Sequence, residues 1–528
     1  SGEILVPALT YPALSPALNS GRAGLGAFGS TVFRVKPNTG RVRVFEGDRQ
    51  SARLGSSDQP KYEHAIDWVV SKDGRIIARE DYDDYSNTYR IFTKTNGRWE
   101  KLYENDPEDQ RFIGNVPYTV VGMSANEDAI LMTGVSADFD ETVLYSLGFD
   151  GTLTGPLYGR DGRDIERVLT DDNRRVFGVE YSGLEKDYTF FDERLETAFS
   201  TLRTKMEGFS LSIIDWSADL SRMMLKVDGS GEAGSYYIFK VETGTLTPVT
   251  KSYEIAPKWV GQMQTIEYRT SDGMTIPAIV TWPAGSGEEV LPTIVLPHGG
   301  PHAADTLTFN WMAQYFASRG YLIFQPNFRG STGFGAEFES AGYGEWGLAM
   351  QRDVHEGVKA LISLGWADPA RICIVGASYG GYAALTGGMT EPDLFKCIAA
   401  IAPVTDLPDF LSHVRQKTGS RGYAYEYWST SIGELASDAA VLRSTSPARN
   451  AASFEAPVLL IHGKDDTVVP IQQSRKMRSA LEDAGKTVEL IELAGADHWL
   501  SKTDMRLPTL TAISDFVDAH LSTDSDLE

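Results

Sequence analysis

Two hydrophobic patterns divide the chain near residue 255. Up to about Thr250, apolar residues come in short runs broken by polar turns, with almost no 3.6-residue periodicity. One arrangement recurs: an apolar strand, a polar turn and a second apolar strand. It appears in DWVVSKDGRIIARE (Asp67–Glu80), VVGMSANEDAILMTG (Val120–Gly134), RVLTDDNRRVFGVE (Arg167–Glu180) and IDWSADLSRMMLKV (Ile214–Val227). Aligned on Ser71, Ser124, Thr170 and Ser217, the units step by 53, 46 and 47 residues. Each continues with a further strand and turn: TNGRWEKLY, FDGTLTGPLY, DERLETAF and ETGTLTPVT. NTGRVRVFEG (Asn38–Gly47) reads as the tail of an earlier unit. A period of ~40–50 residues with about four strands per unit predicts β-propeller blades rather than a β-sandwich. Four blades are clear, and part of a fifth.

From about Gln264 the texture changes. QTIEYRTSDG and TIPAIVTWP predict a hairpin through a Ser-Asp-Gly turn. Nearly unbroken apolar strands then alternate with amphipathic helices: PTIVLPHGG, YLIFQPNF, RICIVGAS, CIAAIAPV, APVLLIHG and TVELIEL, with helices near 309–319, 351–365, from 381, 472–484 and 507–521. Alternation of this kind predicts a doubly wound, mostly parallel sheet covered on both faces. The expected division is an all-β propeller over residues 1–255 and an α/β-hydrolase domain over residues 256–528.

Composition narrows the function classes. Forty-two per cent hydrophobic and 23% charged residues suit a globular protein with real cores. The formal net charge of −23 argues against nucleic acid or anionic membrane as partner, since both require clustered Lys and Arg. No apolar run approaches the ~20 residues that cross a bilayer, so no membrane insertion is expected. Cys373 and Cys397 lie in apolar runs and read as buried thiols rather than a disulfide scaffold. The chain starts Ser1-Gly2, which reads as a processed or trimmed N-terminus, and the expected location is cytoplasmic or periplasmic. Eight histidines without HxxxH or CxxC spacing offer no metal site, and no phosphate loop or dinucleotide fingerprint appears, so no cofactor is expected.

The candidate chemistry centres on CIVGASYGGYAAL (Cys373–Leu385). Gly376-Ala377-Ser378-Tyr379-Gly380 follows a strand and precedes a helix, the setting of a nucleophile elbow. A serine hydroxyl needs a base, and the base needs an acid to orient it. Four histidines follow Ser378: His413, His462, His498 and His520. His498 lies in AGADHWL, between the last strand and the last helix, which is the expected place for the base; His462 is the competitor. The acid is expected in GKDDTVVP (Gly463–Pro470), where spacing alone leaves Asp465 and Asp466 equal. Asp497, adjoining His498, is expected to point elsewhere. The oxyanion of a tetrahedral intermediate would be held by the amide of Tyr379 and by one from His298-Gly299-Gly300-Pro301.

Taken together, HGGPHA, NFRGSTGFG (Asn327–Gly335), GASYGG, LLIHGKDDTVVP and GADHW resemble the prolyl oligopeptidase family of serine peptidases in order and approximate spacing. With the propeller, the resemblance covers nearly the whole chain. It implies Ser378, Asp465 and His498 as the triad, because the family's acid is the first aspartate of its Asp-x-x-Val-x-Pro-like stretch. It also implies oxyanion donors from Tyr379 and Gly300, since His298 stands where other branches carry a tyrosine and HGGP resembles the acylaminoacyl-peptidase branch. Thr467 replaces an Arg or Asn that some members use to bind substrate, and Arg329 is expected to brace the loop beside the site. The implied activity is hydrolysis of short or unstructured peptides through an acyl-enzyme. Alternatives are a lasso-peptide isopeptidase of the same family, a carboxylesterase, or a non-catalytic propeller binding protein.

Overall fold

The computed structural model describes residues 4–10, 29–36, 41–46, 63–71, 73–83, 88–95, 98–105, 118–135, 140–287, 289–420 and 423–521. The chain divides into two compact units. One comprises Ser1–Ser182, Asp187–Thr197 and Thr418–Ala424; the other comprises Gly183–Lys186, Ala198–Lys417 and Tyr425–Glu528.

Among the described residues the first unit holds four antiparallel sheets, each a run of neighbouring strands. They are β1 (Ile4–Thr10), β2 (Gly29–Lys36) and β3 (Arg41–Glu46); β4 (Glu63–Val70), β5 (Ile76–Asp83), β6 (Thr88–Thr95) and β7 (Arg98–Glu104); β8 (Thr119–Met123), β9 (Ala129–Val135), β10 (Thr142–Gly148) and β11 (Leu153–Tyr158); and β12 (Ile165–Thr170), β13 (Val176–Tyr181) and β14 (Asp187–Phe190). The recurring strand-turn-strand pattern is the first hairpin of each blade. Ser71 N donates to Arg75 O, Ser124 N to Ala129 O, and in the second unit of the chain Ser217 N to Arg222 O. In the remaining blade this position belongs to Asp171, whose N donates to Arg175 O, one residue beyond the Thr170 of the sequence alignment. Its carboxylate caps the turn amides of Asn173 and Arg175, doing the work of the serine hydroxyls.

Alternation along the strands packs successive sheets face to face. Val69, Ile77, Tyr89 and Ile91 share a core with Val120, Ile130, Met132 and Val143 of the next sheet. Leu131 and Leu144, facing the other way, meet Ile165, Val176, Val179 and Tyr181. This is the stacking of propeller blades. DERLETAF departs from the expected strand: residues Glu193–Lys205 form helix α1. Glu, Leu, Ala and Arg favour a helix, Asp192 caps the amides of Arg194 and Leu195, and Leu195, Phe199 and Leu202 recur at helical spacing and are buried.

The second unit begins with a four-stranded antiparallel sheet, β15 (Phe209–Trp216), β16 (Arg222–Gly229), β17 (Glu232–Lys240) and β18 (Thr245–Lys251). An eight-stranded sheet follows: β19 (Gln262–Arg269), β20 (Thr275–Trp282), β21 (Leu291–Val295), β22 (Leu322–Pro326), β23 (Ala367–Ala377), β24 (Cys397–Ile401), β25 (Val458–Gly463) and β26 (Val488–Leu493). Its order is β19-β20-β22-β21-β23-β24-β25-β26, and β21–β26 are parallel. β19 and β20 form the expected hairpin through Thr270–Met274.

The helices are α2 (Trp311–Ala317), α3 (Ala336–Ser340), α4 (Ala349–Ser363), α5 (Tyr379–Thr390), α6 (Leu407–Thr418), α7 (Tyr423–Ile432), α8 (Ala439–Ser444), α9 (Gln472–Asp483) and α10 (Thr503–Leu521). Met312 and Phe316 of α2 and Ile513 and Val517 of α10 cover one sheet face, over Ile294, Val375, Ala399 and Ile461. Ile372 and Ile374 point the other way and are equally buried, with α4 and α5 against β23. The fold is an α/β-hydrolase preceded by propeller sheets. Among the described residues no helix is long and apolar enough to cross a membrane.

Cys373 and Cys397 correct the expectation of free thiols: they form a disulfide. Apolar context predicts burial, and both are fully buried, but register decides the chemistry. β23 and β24 pair Cys373 directly with Cys397, Cα atoms 4.8 Å apart, with both side chains on the α2/α10 face. Under denaturing, non-reducing conditions an alkylating reagent should add no mass to the protein, and prior reduction should let it modify two residues.

Glu80 is 2% exposed in the core between two sheets. Burial raises its carboxyl to about 7, against the hydrogen bonds it accepts from Tyr89 and Val120 N. A raised carboxyl holds its proton in the folded state where the unfolded chain has lost it. Its contribution to stability therefore falls as pH rises from about 4.5 to about 7, by up to roughly 3 kcal/mol. Urea unfolding of wild type and Glu80→Gln should diverge in pH dependence across that window, the variant having the flatter slope.

Candidate active site

Six parallel strands bring their carboxyl ends to one edge of the sheet, where an open α/β fold builds its sites. Ser378 follows β23 there and begins α5. Its φ of 58° and ψ of −119° are strained for a non-glycine residue, and the turn is held by Ser378 N donating to Ile401 O and Tyr382 N to Ser378 O. The surrounding glycines are sterically required. A Cβ on Gly376 would lie 2.2 Å from Gly380 O, and one on Gly380 would lie 2.2 Å from Pro297 O. The elbow and the loop after β21 thus touch backbone to backbone. A Cβ on Gly299 would lie 3.6 Å from that of Ser378.

Tyr379 N opens α5, and Gly300 N lies in the HGGP loop at φ 122°. Among the described residues no protein group accepts a hydrogen bond from either amide. Aromatic contacts join the two segments: His298 stacks on Phe328 at 4.4 Å, Phe328 meets the Tyr379 ring at 5.1 Å, and Trp346 meets Tyr379 edge-on at 4.5 Å. His298 also bonds Ser331 Oγ at 2.9 Å, and burial lowers its pKa, keeping the ring neutral. Arg329 braces this loop through Asp353 and reaches Asp272 in the β19–β20 turn.

The candidate base and acid come from the loops after β26 and β25. His498 Nδ1 donates to Asp466 Oδ2 at 2.6 Å. The contact falls on Asp466 and not on the expected Asp465, whose side chain is exposed and makes no hydrogen bond among the described residues. The physical reason lies in the turn. Lys464 N donates to Leu493 O and Asp465 N to Ala496 O, stitching the two loops together and leaving the next residue to face His498. Gly463 permits this, because a Cβ there would lie 2.3 Å from Ala496 O. Asp466 Oδ1 meanwhile accepts from Val468 N and Val469 N at 2.8 and 2.9 Å. Burial alone would raise this carboxyl. The bonds from His462, His498 and backbone outweigh it and hold Asp466 well below the usual carboxylate range.

His462, the competing base, is fully buried. Its Nε2 donates to Val469 O at 3.0 Å and lies 3.3 Å from Asp466 Oδ2, and its Nδ1 accepts from Ser474 Oγ at 2.7 Å. Both nitrogens are engaged, so it braces the acid. Asp497 points away from His498, with Oδ1 on Ser501 N at 2.9 Å. With Nδ1 committed to Asp466, Nε2 is the nitrogen of His498 left to accept a proton, the arrangement a general base requires.

The Prolyl oligopeptidase family profile matches residues 307–524. The dipeptidyl aminopeptidase BIII of Pseudoxanthomonas mexicana is 26% identical over 438 residues, covering 78% of this chain and 60% of that protein. The chain thus spans less than two thirds of that relative's length. A puromycin-hydrolysing peptidase of Mycobacterium tuberculosis shares the fold with a TM-score of 0.73 at 19% identity, over 99% of this chain and 78% of that one. An acylaminoacyl peptidase of Pyrococcus horikoshii follows at 0.68 and 18%, over 98% and 80%.

The glycine contacts yield a stability test. Gly376→Ala should destabilise the second unit by about 3 kcal/mol or more, read as a lowered unfolding midpoint, because backbone rather than a flexible side chain must move.

Proposed function

We propose, from the premise that this chain belongs to the prolyl oligopeptidase family through residues 307–524, that it is a serine peptidase cleaving short or unstructured peptides through an acyl-enzyme. The observation that carries this reading is the 2.6 Å bond from His498 to Asp466, at the sheet edge where the elbow presents Ser378.

In the proposed reaction, His498 Nε2 takes the Ser378 hydroxyl proton as Oγ attacks the substrate carbonyl carbon. The carbonyl oxygen becomes an oxyanion held by the Tyr379 and Gly300 amides; one such donor contributes about 10²–10³ in rate. The protonated His498 then gives its proton to the leaving amine as the C–N bond breaks, leaving an ester on Ser378. Water enters, loses a proton to His498 and attacks that ester, and the proton returns to Ser378 Oγ as the acid is released. Asp466 stays ionised throughout and stabilises the imidazolium, fixed by its two backbone donors. The proposal adopts residues 1–255 as the propeller domain that limits substrate size and 256–528 as the catalytic domain.

Digestion of a mixed peptide library, followed by mass spectrometry, tests the reading. Cleavage by wild type that vanishes in Ser378→Ala is the expected result. Turnover of p-nitrophenyl esters with peptides untouched would make the protein an esterase instead. Asp466→Asn should lower kcat/KM by about 10³–10⁴, whereas Asp465→Asn should stay near wild type, which assigns the acid directly.

A further inference from the structure

Trp499 follows the base in sequence, and its ring meets the His498 imidazole edge-on at 5.5 Å and 88°. The side chain is 65% exposed, a value matched only by Leu507 among the described large hydrophobics. Single exposed hydrophobics are ordinary; position and rigidity set this one apart. The loop presenting it is closed by Lys502 Nζ donating to Gly495 O at 3.0 Å and by Ser501 N donating to Asp497 Oδ1. Leu500 adopts φ 49° and buries its side chain. The same short turn therefore sends His498 to Asp466 and leaves Trp499 in solvent.

The chemistry of the base gives this position a direction. His498 must hand its proton to the departing amine, so the imidazole stands on the leaving-group side of Ser378. The acyl part lies toward the oxyanion amides of Tyr379 and Gly300. A ring fixed against the imidazole neighbours the leaving group.

We propose that Trp499 is a specificity-determining residue for the leaving-group side, selecting peptides whose residue just after the scissile bond is aromatic or bulky and apolar. Indole offers a large rigid surface, and aromatic partners gain beyond simple burial through edge-to-face or stacked contact. The proposal rests on the peptidase reading above and adds to it the substrate class.

Acyl-enzyme partitioning isolates this side of the site. One ester substrate acylates Ser378, and phenylalaninamide or glycinamide then competes with water for the common acyl-enzyme. The acyl group being constant, the ratio of the two aminolysis efficiencies reports the leaving-group side alone. Wild type should favour phenylalaninamide by roughly tenfold. Trp499→Ala should bring the ratio close to one, Trp499→Phe should retain most of the preference, and the equally exposed Leu507→Ala should keep the wild-type ratio. A wild-type ratio near one, or an unchanged ratio in Trp499→Ala, overturns the assignment of Trp499 while leaving the peptidase reading standing. Failure of wild type to form any mass-shifted adduct on Ser378, with ester or fluorophosphonate, overturns both.

Discussion

Three stretches of backbone meet at Gly376, Gly380 and Pro297 more closely than any side chain would allow, and the rest of this edge of the sheet is arranged around that meeting. With a virtual Cβ 2.2 Å from a carbonyl oxygen at both glycines, only hydrogen fits. The loop after β21 therefore rests on the first turn of α5, which sets Gly299 against Ser378 and places the HGGP loop beside the amide that opens the helix. The strain at Ser378 is supported by its neighbours: the serine amide donates to Ile401 on β24, and a disulfide between Cys373 and Cys397 joins the same two strands below. The aromatic series His298, Phe328, Tyr379 and Trp346 then fills the space behind the two amides.

The candidate acid and base are organised by a second backbone contact. Gly463 lets the loop after β26 lie across the end of β25, and two amide-to-carbonyl bonds fasten the loops together. One carboxylate then receives two backbone amides on one oxygen and His498 on the other, with His462 behind it. In the proposed reaction such a carboxylate is held in place before substrate arrives, so little reorganisation would accompany charge formation on the imidazole. The same loop, continuing through Leu500, fixes what stands next to the base.

Local patterns carried much of this into the sequence. The sharp turn at Ser378 was legible because an elbow needs small residues at fixed offsets between a strand and a helix. The place of His498 in the loop between the last strand and the last helix was legible from the order of the elements, and the blades from a polar turn that recurs at a nearly constant step. What escaped depends on contacts between distant segments. Asp465 and Asp466 are adjacent and chemically identical, and only the stitching to residues 493–496 decides which faces His498. The Cys373–Cys397 bond depends on the register of β23 against β24, which an apolar run does not encode. DERLETAF has a strand-like place in the repeat, yet its helix-forming residues and the Asp192 cap outweigh the period. Asp171 replaces a serine in its turn because a carboxylate offers the same acceptor, so an alignment on hydroxyl residues slips by one.

Orientation of His498 by Asp466 is open to a direct test by proton NMR of the His498 ring. An Nδ1–H donated to a buried carboxylate at 2.6 Å gives a far-downfield, slowly exchanging resonance. That resonance should be present in the wild-type protein and in Asp465→Asn, and absent in Asp466→Asn and His498→Ala. A resonance that survives in Asp466→Asn but disappears in Asp465→Asn would make the neighbouring aspartate the acid instead.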